Sequence, residues 1–147
     1  MLEDFDEAGN LPRGIHDATI AEISLRFGGN PRRAKVLADL LNWLRHMKFA
    51  GCRTVYIDGS FVTSASLPND FDACYDPTGI DKAKLDPVLL DRSDDGKERV
   101  KAKYGGDIRL DREFPPGTIW GYRQFFMFDH RTGREKGIVR LDLSENF

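Results

Sequence analysis

This chain is poor in most of the features that announce a function early. It has two cysteines, Cys52 and Cys74; they lie far apart and form no Cys-x-x-Cys pair, so neither a zinc site nor a redox motif is indicated and both read as buried thiols. The three histidines, His16, His46 and His130, lack metal-ligand spacing, and His46, near the end of a helical pattern, reads as a partner of the helix dipole. No Walker loop and no Gly-x-Ser-x-Gly elbow occurs. No apolar run approaches membrane-spanning length, and the acidic start Met1-Leu2-Glu3-Asp4-Phe5-Asp6-Glu7 lacks the basic and apolar regions of a signal peptide, so the expected location is the cytoplasm. A net charge of -2 gives no general attraction for polyanions. The basic clusters Arg32-Arg33, Lys97 to Lys103 and Arg131 to Lys136 read first as solvated surface. Asp91 to Gly96 opens like a calcium loop, but Ala102 stands where a bidentate Glu is needed.

What remains is the balance of a soluble globular protein, 40% hydrophobic and 31% charged, and 147 residues suit one domain with a continuous core. No internal repeat or low-complexity segment interrupts it. Thr19 with Glu22 forms a capping-box pattern that starts a helix ending near Gly28. Asn30-Pro31 caps a longer helix, in which Val36, Leu37, Leu40, Leu41, Leu44 and Met47 recur at helical spacing before the stop at Gly51. Strands are expected from Arg53 to Asp58, Asp70 to Tyr75, Asp107 to Leu110 and Gly137 to Leu143. Between Ile80 and Tyr104 the pattern is helical but broken at Pro87 and at Ser93-Asp94-Asp95-Gly96, which suggests two short helices. Pro115-Pro116-Gly117 and Arg131-Thr132-Gly133 mark turns. Trp120 to Phe128 fits either helix or strand.

The run Val55-Tyr56-Ile57-Asp58-Gly59-Ser60, followed by Asp70-Phe71-Asp72, carries the chemistry. It reads as an apolar strand, a tight Gly-Ser turn and a second strand with two aspartates. Side chains alternate along a strand, so Asp70 and Asp72 share a face while Phe71 and Ala73 meet the core. Two carboxylates forced together call for a cation, and magnesium is the obvious one. Beside a turn able to receive a phosphate, this is equipment for attack on a nucleoside triphosphate.

These residues resemble the nucleotidyltransferase superfamily typified by DNA polymerase beta, in whose small members a Gly-Ser pair ends one strand and an Asp-x-Asp opens the next. The matching positions are Gly59, Ser60, Asp70 and Asp72. The family's frequent second glycine is replaced here by Thr63-Ser64-Ala65-Ser66. More narrowly, Leu11-Pro12-Arg13-Gly14-Ile15-His16, Asp58 to Thr63 and Asn69 to Asp72 look like a group of small bacterial nucleotidyltransferase-like proteins, a likeness that covers most of the chain. The resemblance implies an α/β domain with a small mixed sheet and packed helices. It also implies a third carboxylate on a neighbouring strand, for which Asp107, after the Gly105-Gly106 turn, is preferred to Asp142. Asp142 shares a strand face with Arg140 and is equally explained by an ion pair to a neighbouring strand.

The implied enzyme moves a nucleoside monophosphate from an NTP to a hydroxyl of a protein, an RNA end or a small molecule. Asp70, Asp72 and Asp107 would hold Mg2+ (or Mn2+), Gly59 and Ser60 would bind the β- and γ-phosphates, and a basic residue of the Lys97 to Lys103 run would assist. A protein partner or a homodimer is expected to complete so small a site. The other reading is an inactive binding module of the same fold, such as one half of a toxin-antitoxin or defence pair.

Overall fold

The computed structural model of the chain describes residues 2–146 apart from 116 and 119; Pro116, within the expected Pro115–Gly117 turn, lies outside the described residues. The first strand, β1 (Gly14–Asp17), precedes two helices, α1 (Ile20–Phe27) and α2 (Pro31–Phe49). The capping box forms as its sequence suggests, with Thr19 Oγ accepting from the Glu22 amide at 3.1 Å. Asn30 caps α2 by accepting from the Arg33 amide at 2.9 Å. There follow β2 (Thr54–Asp58), a single 3-10 turn over Ser60–Val62, and β3 (Phe71–Tyr75).

The Ile80 to Tyr104 region holds one 3-10 turn (Pro87–Leu90) and one α-helix, α3 (Asp94–Tyr104), so the expected pair of short helices is half right. Ser93-Asp94-Asp95-Gly96 is not a break between them. Ser93 is the N-cap of α3 and accepts from the Gly96 amide at 3.1 Å, and the two aspartates complement the positive end of the helix. Strand β4 (Gly106–Leu110) comes next, then one turn of helix α4 (Tyr122–Phe125), the two-residue strands β5 (Phe128–Asp129) and β6 (Arg134–Glu135), and finally β7 (Gly137–Asp142). The ambiguous stretch from Trp120 to Phe128 is thus helix first and strand last.

The main sheet has five strands in the order β1-β7-β2-β3-β4, one more than expected, because β1 lies parallel to β7 at its edge. β7 and β3 run antiparallel to β2, and β4 runs parallel to β3 through the α3 crossover, which makes the sheet mixed. Alternation assigns the two faces. Val55, Ile57, Phe71, Ala73, Ile108 and Val139 point into one core together with Ile23 and Phe27 of α1 and Leu40, Trp43 and Met47 of α2. Trp43 stacks on Phe71 with ring centroids 5.9 Å apart. On the opposite face Tyr56, Cys74 and Ile138 pack with Tyr122 and Phe126 in a smaller cluster. Both cysteines are buried free thiols, as expected, and burial pushes the Cys52 thiol up to about 12.

Two further expectations change. His46 does not serve the helix dipole as a cation. Its Nε2 accepts the Asp86 amide at 2.9 Å and its ring stacks on Tyr104, so the imidazole is neutral, and burial lowers its pKa. Among the described residues, Asp142 makes no ion pair across the sheet. It accepts from the amide and the hydroxyl of Ser144, while Arg140 pairs with Asp17 of β1 at 2.6 Å. Among the described residues, no helix is long and apolar enough to cross a membrane.

Candidate functional site

The acidic site forms where β2 ends and β3 and β4 begin. Register pairs Asp58 of β2 with Asp72 of β3, and Asp72 with Asp107 of β4, so three carboxylates occupy one row across three strands. Directly paired residues share a sheet face. The row therefore projects from the side of Tyr56, Cys74 and Arg109, away from the main core. Asp70 lies one step before β3 on the same face as Asp72. Asp142 is opposite Thr54, at the far end of β2, and takes no part.

Each member of this group except Asp72 has a cation of the chain beside it. Lys101 Nζ lies 2.9 Å from Asp70, Arg109 Nε donates to Asp107 at 2.7 Å, and Lys136 Nζ stands 2.8 Å from Asp58 Oδ1. The Lys101 pKa is raised by its bond to Asp70. The Asp72 carboxylate makes no hydrogen bond or ion pair with any described residue. Burial, reinforced by the charges of Asp58, Asp70 and Asp107, pushes its carboxyl up to about 7. Burial also raises Asp58, an effect that Lys136 opposes.

Asp58 and Asp72 open into a cleft of about 410 Å3, lined also by Gly59, Ser60 and Thr63 of the turn and by Phe125, Phe128, Asp129, His130 and Lys136 of the later segment. Asp70 and Asp107 do not line it. Gly59 has φ +85°, a conformation that favours glycine. A Cβ there would come within 2.5 Å of Asp72 Oδ2, so the close approach this glycine permits is to the carboxylate itself, whereas its sequence context suggested a phosphate. Ser60 is exposed, and its hydroxyl makes no hydrogen bond to a described residue; the turn is closed by Thr63, whose hydroxyl donates to Ser60 O at 2.7 Å.

The loop beyond the turn is held from beneath. Arg33 is buried, and its guanidinium donates to Phe61 O at 2.6 Å, Thr63 O at 2.6 Å, Phe27 O at 3.1 Å and Ala65 O. This corrects the reading of Arg33 as solvated surface, whereas Arg32 is exposed as expected. A planar five-donor fork suits several converging carbonyls in a way that an ammonium does not. Lys136 was missed for a similar reason, as the last residue of a basic run that otherwise faces solvent. Asp58 was visible as the polar end of an apolar strand, but only register sets it opposite Asp72.

Among the described residues, no three His, Cys, Asp or Glu side chains converge as a metal-ligand group. Magnesium asks for less than that. It is commonly held by one or two carboxylates together with substrate phosphates and several waters. The unpartnered Asp72 carboxylate, with Asp70 two residues before it on the same face, fits such a cation. Asp107 joins only if it leaves Arg109.

Residues 3–142 match the model of a family of unknown function, DUF6932. The chain belongs to that family. No curated protein matches it. No solved structure matches it either.

Proposed function

We propose that the chain is a metal-dependent nucleotidyltransferase, which moves a nucleoside monophosphate from a nucleoside triphosphate to a hydroxyl acceptor. The observation that carries this reading is the unpartnered Asp72 carboxylate, in register between Asp58 and Asp107 and facing a cleft whose edge is the Gly59-Ser60 turn. The element order supports it. A strand ends in Gly-Ser, a short helical turn follows, the next strand opens on Asp-x-Asp, and a helix crosses to a parallel strand bearing Asp107. This is the arrangement that the resemblance to the nucleotidyltransferase superfamily implies.

Magnesium or manganese at Asp70 and Asp72, with Asp107 as a third carboxylate, would neutralise triphosphate charge and favour ionisation of the acceptor hydroxyl. The free Ser60 hydroxyl would donate to the terminal phosphates. Lys136, already in the cleft, would be their cation, in place of a residue from the Lys97 to Lys103 run. Lys101 and Arg109 would release Asp70 and Asp107 as the substrate enters. The acceptor oxygen would then attack the α-phosphorus in line, forming the new phosphoester bond as the bond to the bridging oxygen breaks and pyrophosphate leaves. The acceptor class, whether a protein, an RNA end or a small molecule, and completion by a homodimer or a protein partner belong to this proposal. So does a cytoplasmic setting.

One observation favours a second reading. Lys101, Arg109 and Lys136 already neutralise three of the four carboxylates, as a binding module without turnover would need, in a toxin-antitoxin or defence pair for example. Incubation with each α-labelled nucleoside triphosphate, magnesium and cell lysate decides between them. Labelled product that the Asp70→Asn, Asp72→Asn double variant fails to make supports transfer. No product and no detectable nucleotide binding, with magnesium and lysate supplied, favour the module over the transferase.

A further inference from the structure

The Gly59-Ser60 turn and Lys136 account for part of the polar lining of the cleft but leave its aromatic residues unexplained. Phe125, the last residue of α4, and His130, in the turn after β5, both line the cleft and stack on each other with ring centroids 4.0 Å apart and planes inclined by 22°. Phe128 lines the cleft as well. His130 is exposed although its ring stacks on Phe125, so the pair is not fully covered by the chain.

The ring is also held in place. His130 Nε2 sits 2.9 Å from Phe125 O, which fixes the imidazole orientation. The preceding residue, Asp129, is buried and accepts from Asn10 Nδ2 at 3.1 Å and from the Arg131 amide at 3.0 Å, so the turn that presents His130 is tied to the N-terminal segment. A flat, exposed, pre-oriented ring beside a phosphate-sized polar turn has little use for inorganic polyphosphate, which has no π-face. A nucleobase has one, and stacking on aromatic side chains is a main source of base affinity that needs no edge-specific hydrogen bonds. The cleft volume falls within the range of small-molecule sites.

We propose that the Phe125–His130 stack is the platform for the base of the nucleotide, which makes nucleoside triphosphates, and not other polyphosphates, the substrate class of this cleft. The inference rests on the nucleotide reading above. The base lies against the exposed His130 of this stack, and the triphosphate extends towards Ser60 and Lys136.

The test compares ATP with inorganic tripolyphosphate by calorimetry, in the presence of magnesium, for the whole chain and for His130→Ala and His130→Tyr. The expected result is that the wild type binds ATP more tightly than tripolyphosphate. His130→Ala should weaken ATP by roughly tenfold, the lower part of the range for loss of one stacked ring, and leave tripolyphosphate unchanged. His130→Tyr, which keeps a ring, should hold most of the ATP affinity. Equal wild-type affinity for the two ligands, or parallel weakening of both by His130→Ala, would overturn the platform while leaving the transferase reading in place. If the wild type binds neither, that reading falls and the platform with it.

Discussion

Lys136 Nζ and Asp58 Oδ1 are 2.8 Å apart, with only 14% and 6% of their side chains exposed. A buried pair of this kind adds modestly to stability as a pair but is costly to halve, because the remaining charge has no partner and little water. Lys136→Met should therefore destabilise the protein by about 3 kcal/mol, the scale of such half-deletions, as measured by urea unfolding. Adding Asp58→Asn to that variant should recover much of the loss. No recovery in the double variant would show that Lys136 acts through packing alone.

Asp72 gives a pH dependence of definite sign. Its folded pKa of about 7 lies above the ordinary carboxylate value, so the folded state binds the extra proton between the two. Stability should fall as pH rises through that window, and the cost should be complete above the folded pKa. In metal-free buffer, Asp72→Asn and wild type should melt together near about pH 4, and the variant should be the more stable at about pH 8. Magnesium should raise the wild-type melting temperature at the higher pH and leave the variant nearly unmoved. A wild type that matches Asp72→Asn across the whole range would contradict the crowded, unpaired carboxylate.

Arg33 ties α2 to the loop after the Gly59-Ser60 turn through carbonyls only. Arg33→Ala should cost about 3 kcal/mol, given that hydrogen bonds from a charged donor contribute about 1.5–3 kcal/mol each and do not add fully. Arg33→Lys should restore less than half, since one ammonium cannot reach Phe61, Thr63 and Ala65 together. Hydrogen exchange at the Thr63 and Ser64 amides should accelerate in both variants. Unchanged protection there would mean that the loop is held by other contacts.

His46 behaves in the opposite sense to Asp72. Its folded pKa is lowered by burial, so the unfolded chain takes up the proton first on acidification, and stability is lost as pH falls through the folded value. Protonation also removes the acceptor of the Asp86 amide. Between about pH 7.5 and about pH 5, wild-type melting should drop further than that of His46→Gln, which does not titrate. Equal slopes would move the acid sensitivity elsewhere.

The parts of the structure that sequence made legible are those fixed by near neighbours. The Thr19 capping box, the Asn30-Pro31 start of α2, the β2 turn and the strand bearing Asp70 and Asp72 follow from local residue types and alternation. β1 was invisible because Gly14-Ile15-His16-Asp17 has no strand pattern of its own and becomes a strand only by pairing with Gly137 to Arg140. Gly96 looked like a break but sits in the first turn of α3, packed so closely on Asp91 that no side chain fits. At the site, the aspartates and the Gly-Ser turn could be named from sequence. Arg109 follows from alternation, two residues from Asp107 on β4, but the cations of Asp70 and Asp58 could not be named, because Lys101 and Lys136 are brought there by the α3 crossover and by register, over distances at which charge patterning says nothing.

The position of β7 has a consequence for how the molecule comes to exist. The strand latest in sequence lies between the two earliest, β1 and β2, so the sheet is not a ribbon laid down in the order of synthesis. Until β7 is in place, β2, β3 and β4 can pair with one another, but β1 has no neighbour and the edge of β2 stands open. Such long-range closure is slow, and an open edge invites pairing with another chain. Lys136 immediately precedes β7 and arrives with it, so Asp58 gains its cation and its burial together, when the last strand slots into place.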